Sequence, residues 1–145
     1  MADIALKDSV TSTQTGNNTQ SLGVEESLEQ MTLRLSVDMN AGTPVFVDSD
    51  GEWAKADASA AGTAKFYGIL VKNGKAGQYR TAIAKGIVDG FDFDSQSYGA
   101  AVYLSDTEGA LADAAGTVSF KIGEIIPVDL KPLGSAADKL LRIKY

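Results

Sequence analysis

From Thr32 to Asp38 the chain alternates strictly, placing Leu33, Leu35 and Val37 on one face and Arg34 and Ser36 on the other. A period of two is the signature of a strand with one face buried. Short β-rich runs recur at Pro44 to Asp48, Lys65 to Lys72, Gln78 to Val88, Ala101 to Ser105, Val118 to Pro127 and Leu140 to Tyr145, each bounded by Gly, Asn, Asp or Ser. With no long segment of helical period, the pattern predicts an all-β domain, a small barrel or sandwich of about 7–9 short strands. The turns agree with this. Asp48-Ser-Asp-Gly51 and Asn73-Gly74 lie between apolar runs, where a glycine supplies the positive φ of a tight hairpin. Gly123 interrupts the alternation of Val118 to Ile122 and predicts a bulge or corner, and Gly68 is a candidate for the same role. Leu140 to Tyr145 is apolar on both faces and is expected to pair inside the sheet or at a subunit contact.

The amino-terminal part reads differently. Asp8 to Ser21 holds Val10 as its only large apolar residue, too little to offset the entropy of ordering. Its flanks carry sparse apolar positions: Ile4 and Leu6 before it, then Leu22, Val24, Leu28 and Met31. Ser21 to Met31 is expected to form a short helix, with Glu25 and Glu26 near its positive end. The domain reading is therefore an extended, flexible arm over residues 1–31 and a β-barrel over 32–145, with the barrel expected to fold without the arm.

An internal echo joins two parts of the barrel. Gly42-Thr-Pro-Val-Phe-Val-Asp-Ser-Asp-Gly-Glu-Trp53 overlays Gly99-Ala-Ala-Val-Tyr-Leu-Ser-Asp-Thr-Glu-Gly-Ala-Leu111 with one extra residue in the second turn. Gly62-Thr63 then matches Gly116-Thr117, and Gly68-Ile-Leu70 matches Gly123-Glu-Ile125. Two copies of one strand-turn-strand unit predict a pseudo-symmetric barrel.

Composition narrows the function. The 145 residues include no Cys and no His, which removes disulfides, thiolate metal sites, thiol nucleophiles and the commonest general base. Nineteen acids against thirteen bases leave a net charge of −6, which opposes a phosphate backbone, so no nucleic-acid partner is expected. No run of about 18 apolar residues is present to span a bilayer, and the opening Met1-Ala-Asp-Ile-Ala-Leu-Lys-Asp8 lacks the basic start and apolar run of a leader. A soluble protein with no membrane partner is expected.

Candidate chemistry is sparse. Asp48-Ser-Asp-Gly51 opens like a calcium loop but lacks the later acids that complete one, and a plain turn is the better reading. Asp89, Asp92 and Asp94 are a denser cluster that could attract a hard cation. Alternation, however, sets Asp92 and Asp94 opposite Phe91 and Phe93, which reads as a solvated acidic face over two buried rings. A paired-carboxylate hydrolase would need two acids converging in a pocket, and none has a signature context. Trp53, Tyr67, Tyr79, Tyr98 and Tyr103 could stack on sugars, which makes a glycan-binding host-surface or tail adhesin the alternative function. No catalytic, cofactor-binding or metal-ligating residue is assigned, and the protein is expected not to be an enzyme.

Gly42-Thr-Pro-Val-Phe-Val47, Phe66-Tyr-Gly-Ile69, Gly99 to Val118 and Ile122-Gly-Glu-Ile-Ile-Pro127 together resemble the small β-barrel head decoration, or cement, proteins of tailed bacteriophages. The resemblance spans about residues 41–145 and does not extend to residues 1–40. It implies a structural protein of the virion, made in the host cytoplasm, that sits as a trimer on the outer surface of the expanded capsid. There it would clamp neighbouring major capsid protein subunits against genome pressure, multiplying modest contacts. On this reading the arm grips the shell by folding on contact or by adding a strand to a sheet edge. Its anchors would be Ile4, Leu6, Val10, Leu22, Val24, Leu28 and Met31.

Overall fold

The computed structural model describes residues 3–7, 21–62, 64–127 and 139–145. They form ten strands: β1 (Asp3–Ile4), β2 (Gly23–Arg34), β3 (Pro44–Val47), β4 (Trp53–Lys55), β5 (Gly68–Leu70), β6 (Tyr79–Asp89), β7 (Ala101–Leu104), β8 (Leu111–Ala112), β9 (Lys121–Pro127) and β10 (Lys139–Ile143). There is no helix among the described residues. The strands make one curled antiparallel sheet, a half-barrel, in the order β1-β8-β7-β9-β10-β6-β5-β3-β4, with β2 laid along β6. The all-β expectation holds.

The sheet order is built from two equivalent halves, β8-β7-β9-β10 and β4-β3-β5-β6. Val45 pairs with Gly68 as Val102 pairs with Gly123, and Val47 pairs with Trp53 as Leu104 pairs with Leu111. The Gly42 amide donates to the Leu70 carbonyl and the Leu70 amide to Thr43; the Gly99 amide donates to Ile125 and the Ile125 amide to Ala100. Each unit turns on glycines in the left-handed region, Gly42 and Gly51 (φ 85° and 77°) in the first and Gly99 and Gly109 (φ 81° and 76°) in the second. The echo in the sequence is thus a repeat in three dimensions.

At Gly68 and Gly123 the requirement is space. A Cβ at Gly68 would run into the carbonyl of Ile83, and one at Gly123 into that of Arg142. Strand-to-strand contact at both points exists because no side chain intervenes. The expected irregularity at Gly123 is present: Val102 pairs with Gly123 and Tyr103 with Lys121, leaving Ile122 as the extra residue of a bulge. Asn73-Gly74 plays a different part from the one its sequence suggests. The left-handed glycine of that connection is Gly77 (φ 90°). Gly74 instead exchanges backbone hydrogen bonds with Met39, and a Cβ there would crowd Leu35 and Arg80.

The amino-terminal residues close the ends of this sheet. β1 pairs with β8, and the residues after it reach the segment that follows β6: the Lys7 amide donates to Gly90, and the Asp92 amide to Ala5. At the far end Leu35 bridges Trp53 in parallel, and the Ser36 amide and hydroxyl both donate to the Trp53 carbonyl. Sheet edges left open invite pairing with other chains, and these contacts cover those of β8 and β4.

The core has two parts. The larger gathers Ile69, Ile83, Phe91, Phe93, Leu104, Leu111, Ile122, Ile125 and Leu141, and includes Ile4 and Leu22 from the amino-terminal part. The smaller sets Trp53 among Leu35, Met39, Val45, Leu70 and Ala82, with Met31, Leu33 and Tyr67 packed against it. Burying each such apolar side chain is worth about 1.5–3 kcal/mol. The Trp53 Nε1–H donates to the Arg80 carbonyl (2.9 Å), so its one polar group is satisfied inside the core. Val37, expected to face inward with Leu33 and Leu35, is exposed because the strand ends at Arg34.

Candidate functional site

The helix expected over Ser21 to Met31 is replaced by strand: β2 begins at Gly23 and runs without interruption to Arg34. A helix of eleven residues is marginal in water unless it buries an apolar face. Here Val24 and Leu28 do not bury, and the long ladder with β6, from Gly23–Asp89 to Arg34–Tyr79, supplies the backbone partners instead. The division between residues 31 and 32 falls inside this strand.

β2 stands out from the body. Residues 23–30 are all exposed, and its only strand partner among the described residues is β6. The ladder is broken by bulges. Val24 pairs with Val88 and Glu26 with Ile87, which leaves Glu25 extra; Ser27 pairs with Gly86 and Glu29 with Lys85, which leaves Leu28 extra. Leu28 is thereby lifted out of register, with 72% of its surface exposed. Gly86 (φ 151°) sits opposite this stretch, and a Cβ there would strike the Glu26 carbonyl, so the close approach of β2 depends on glycine.

The residues expected to grip a partner separate into two groups. Ile4 and Leu22 are buried in the larger core, Leu6 is half-buried and bridges Phe91, and Met31 packs against the smaller core. Val24 and Leu28 point to solvent. Val10 lies outside the described residues. The side chains available to a partner on this segment are therefore Val24 and Leu28, set among Glu25, Glu26 and Glu29.

Beside the ridge runs a groove of about 370 Å³, lined by Glu26, Leu28, Lys85, Ile87, Arg142 and Tyr145 among others. Tyr145 ends it. Its hydroxyl donates to the Tyr67 carbonyl (2.7 Å), and its ring packs edge-on against Phe66 at 5.0 Å. Burial first, and then the nearby Glu29 carboxylate, push the Tyr145 phenol above its ordinary range, with Tyr67 adding to the effect. The same two causes, burial before Glu29, raise Tyr67. An acidic strand edge, two exposed apolar side chains and a groove walled by cations suit adhesion to another polypeptide.

The other candidates are placed as follows. Trp53 is fully buried and offers no face to a sugar; Tyr67 and Tyr103 are half-buried, while Tyr79 and Tyr98 are exposed. Phe91 and Phe93 are buried and stacked at 5.9 Å, with Asp92 and Asp94 exposed, as alternation requires. Asp89 pairs with Lys7 at 2.6 Å. The acids that converge among the described residues are Asp48, Asp50 and Glu52, with oxygens within 4.8 Å of one another. Asp48 Oδ1 already accepts from the amides of Asp50 and Glu52, which makes the loop a side-chain-capped hairpin turn. Asp38 and Glu108 share a second groove, but both are exposed and Asp38 accepts from the Ala76 amide, unlike the apolar-shielded acid a glycosidase needs.

Sequence reasoning missed Gly86, the bulges at Glu25 and Leu28, and Tyr145 as a wall of the groove. The four-residue spacing of Val24 and Leu28 was the available signal, and it reads equally as a helix face. In comparison with known proteins, no family model, no curated protein and no solved structure matches the chain.

Proposed function

We propose that this protein is a bacteriophage capsid decoration protein. It binds the outside of the expanded head as a homotrimer and clamps neighbouring major capsid protein subunits without performing chemistry. The observation that carries the reading is β2: twelve residues with one edge on β6, its first eight residues exposed, and Val24 and Leu28 presented to solvent. A strand edge of this kind accepts a strand or extended segment from a coat subunit, main-chain hydrogen bonds giving affinity and the two apolar side chains specificity. The flanking Glu25, Glu26 and Glu29 keep the free edge from pairing indiscriminately. The resemblance of residues 41–145 to decoration proteins supports the same reading.

The test cannot be a deletion of residues 1–31, because that would remove most of β2 together with the buried Ile4 and Leu22. Val24→Asp and Leu28→Asp act on exposed positions and leave the core intact. Expanded, undecorated heads of the source phage are mixed with each protein and sedimented. Wild-type protein co-sediments, and the double variant, folded by circular dichroism, loses at least about tenfold in affinity, the equivalent of 1.4 kcal/mol. Failure of the wild type to bind such heads, or equal binding by the variant, overturns the assignment.

A further inference from the structure

A groove of about 650 Å³ is distinct from the β2 ridge, and its charge is opposite to that of the chain as a whole. Four cations line it, Lys55, Lys72, Lys75 and Arg80, against two acids, Asp38 and Glu108, in a protein of net charge −6. They come from three separated places: the end of β4, the β5–β6 connection and the start of β6. Three cations elsewhere pair with carboxylates: Lys7 with Asp89, Arg34 with Glu52, Arg142 with Glu124. Among the described residues, Lys75 is the one groove cation with such a neighbour, Asp38 at 3.9 Å with both groups exposed.

One of these cations is held in place. Arg80 donates through Nε to the Asn73 carbonyl (2.8 Å), through Nη1 to the Tyr79 carbonyl (2.8 Å) and through Nη2 to Gln78 Oε1 (3.2 Å). A guanidinium carries five N–H donors, so this bracing fixes the plane and leaves two for a ligand. The Lys55 stem lies across Gly109, where a Cβ would stand 3.3 Å from Lys55 Cδ. Asn40, Asn73 and Gln78 add amide groups to the walls. Cations that outnumber the acids beside them repel one another, and an anionic ligand relieves that repulsion as it binds.

We infer that this groove binds an acidic polypeptide segment through its carboxylates. Separate lysine ammonium groups around a fixed arginine match carboxylates spaced along a chain better than one compact anion. The inference does not depend on the capsid reading, since it concerns a different surface and is tested without capsids.

The single tryptophan reports on the site, because the Trp53 indole is bonded to the Arg80 carbonyl. Blocked hexaglutamate is titrated into the full-length protein at low salt, following Trp53 emission and amide shifts, with inorganic pyrophosphate and blocked hexalysine in parallel. The expected result is saturable hexaglutamate binding that shifts the amides of residues 72–80 and 109 and weakens steeply as salt shortens the screening length to less than about 10 Å. Lys55→Glu/Lys72→Glu should reduce affinity at least about tenfold with Trp53 emission of the free protein unchanged, and Lys72→Glu alone gives an intermediate loss. No binding of hexaglutamate, equal binding by the double variant, shifts confined to other residues, or tighter binding of pyrophosphate than of hexaglutamate would each overturn the inference.

Discussion

The two copies of the repeated unit share backbone pairing, glycine positions and hydrogen bonds, yet differ in what their edges meet. In the second, β8 is covered by the two-residue strand β1, and Leu111 lies in the larger core. In the first, β4 is covered by Leu35 just beyond β2, and Trp53 nucleates a separate core with Leu35, Met39 and Leu70. The sheet thus uses one unit twice, and the ends of that pair are closed by one segment that occurs once and precedes both copies. A repeat that stacks on itself leaves terminal edges, and something outside the repeat must cap them.

Four experiments break or sharpen this comparison. The largest effect is expected at the paired glycines. Gly68→Val and Gly123→Val each force a side chain against backbone that cannot yield, and each should cost about 4 kcal/mol or more, read by urea denaturation or by failure to accumulate folded protein. A mild effect at one glycine and a severe one at the other would show that the copies are not mechanically equivalent. Next, Trp53→Ala should destabilise by about 3–5 kcal/mol, since it empties the smaller core and orphans the Arg80 carbonyl, whereas Leu111→Ala should cost about 2–4 kcal/mol. Equal losses would mean that the second core is not a separate source of stability.

Smaller changes test the turns. Gly51 and Gly109 occupy matching left-handed positions, but an added Cβ meets nothing at Gly51 and meets Lys55 and Thr43 at Gly109. Gly51→Ala should therefore show the conformational penalty alone, about 1 kcal/mol, and Gly109→Ala somewhat more, measured by the same denaturation. The smallest effect concerns Tyr145, whose phenol is raised chiefly by burial and then by Glu29. A folded-state pKa above the unfolded value of 10.0 favours the neutral form in the fold. That stability is complete below pH 10 and is lost as pH rises through the folded pKa. Tyr145→Phe should flatten the decline in unfolding midpoint above about pH 10; an unchanged slope would mean that the phenol titrates alike in both states.

Much of the body was legible before any coordinates. Strand positions at Pro44 to Val47, Gly68 to Leu70, Tyr79 to Asp89, Ala101 to Leu104 and Lys121 to Pro127 follow from alternation and flanking turn residues, which act over a few positions. The repeat was legible for the same reason, since two stretches with the same local rules fold alike. The carboxyl end, β10, lies between β9 and β6 as its two apolar faces demand. The two-residue strands, β1 and β8, carry too few residues to show a period.

What escaped a linear reading depends on partners distant along the chain. Ser21 to Met31 has a helical spacing of apolar residues, and only the length of β6 beside it makes strand the better-satisfied state of its backbone. Gly74 and Gly77 look interchangeable in sequence, yet one is required by proximity to Met39 and Leu35 and the other by its positive φ. Ile4 and Leu22 resemble Val24 and Leu28 as isolated apolar residues, and the fold sends the first pair into the core and the second into water. Lys55, Lys72 and Arg80 become one charged groove only when strands from both sides of the first unit are paired. Local chemistry chose the elements; long-range backbone pairing and close contact, which no short window contains, chose which residues meet.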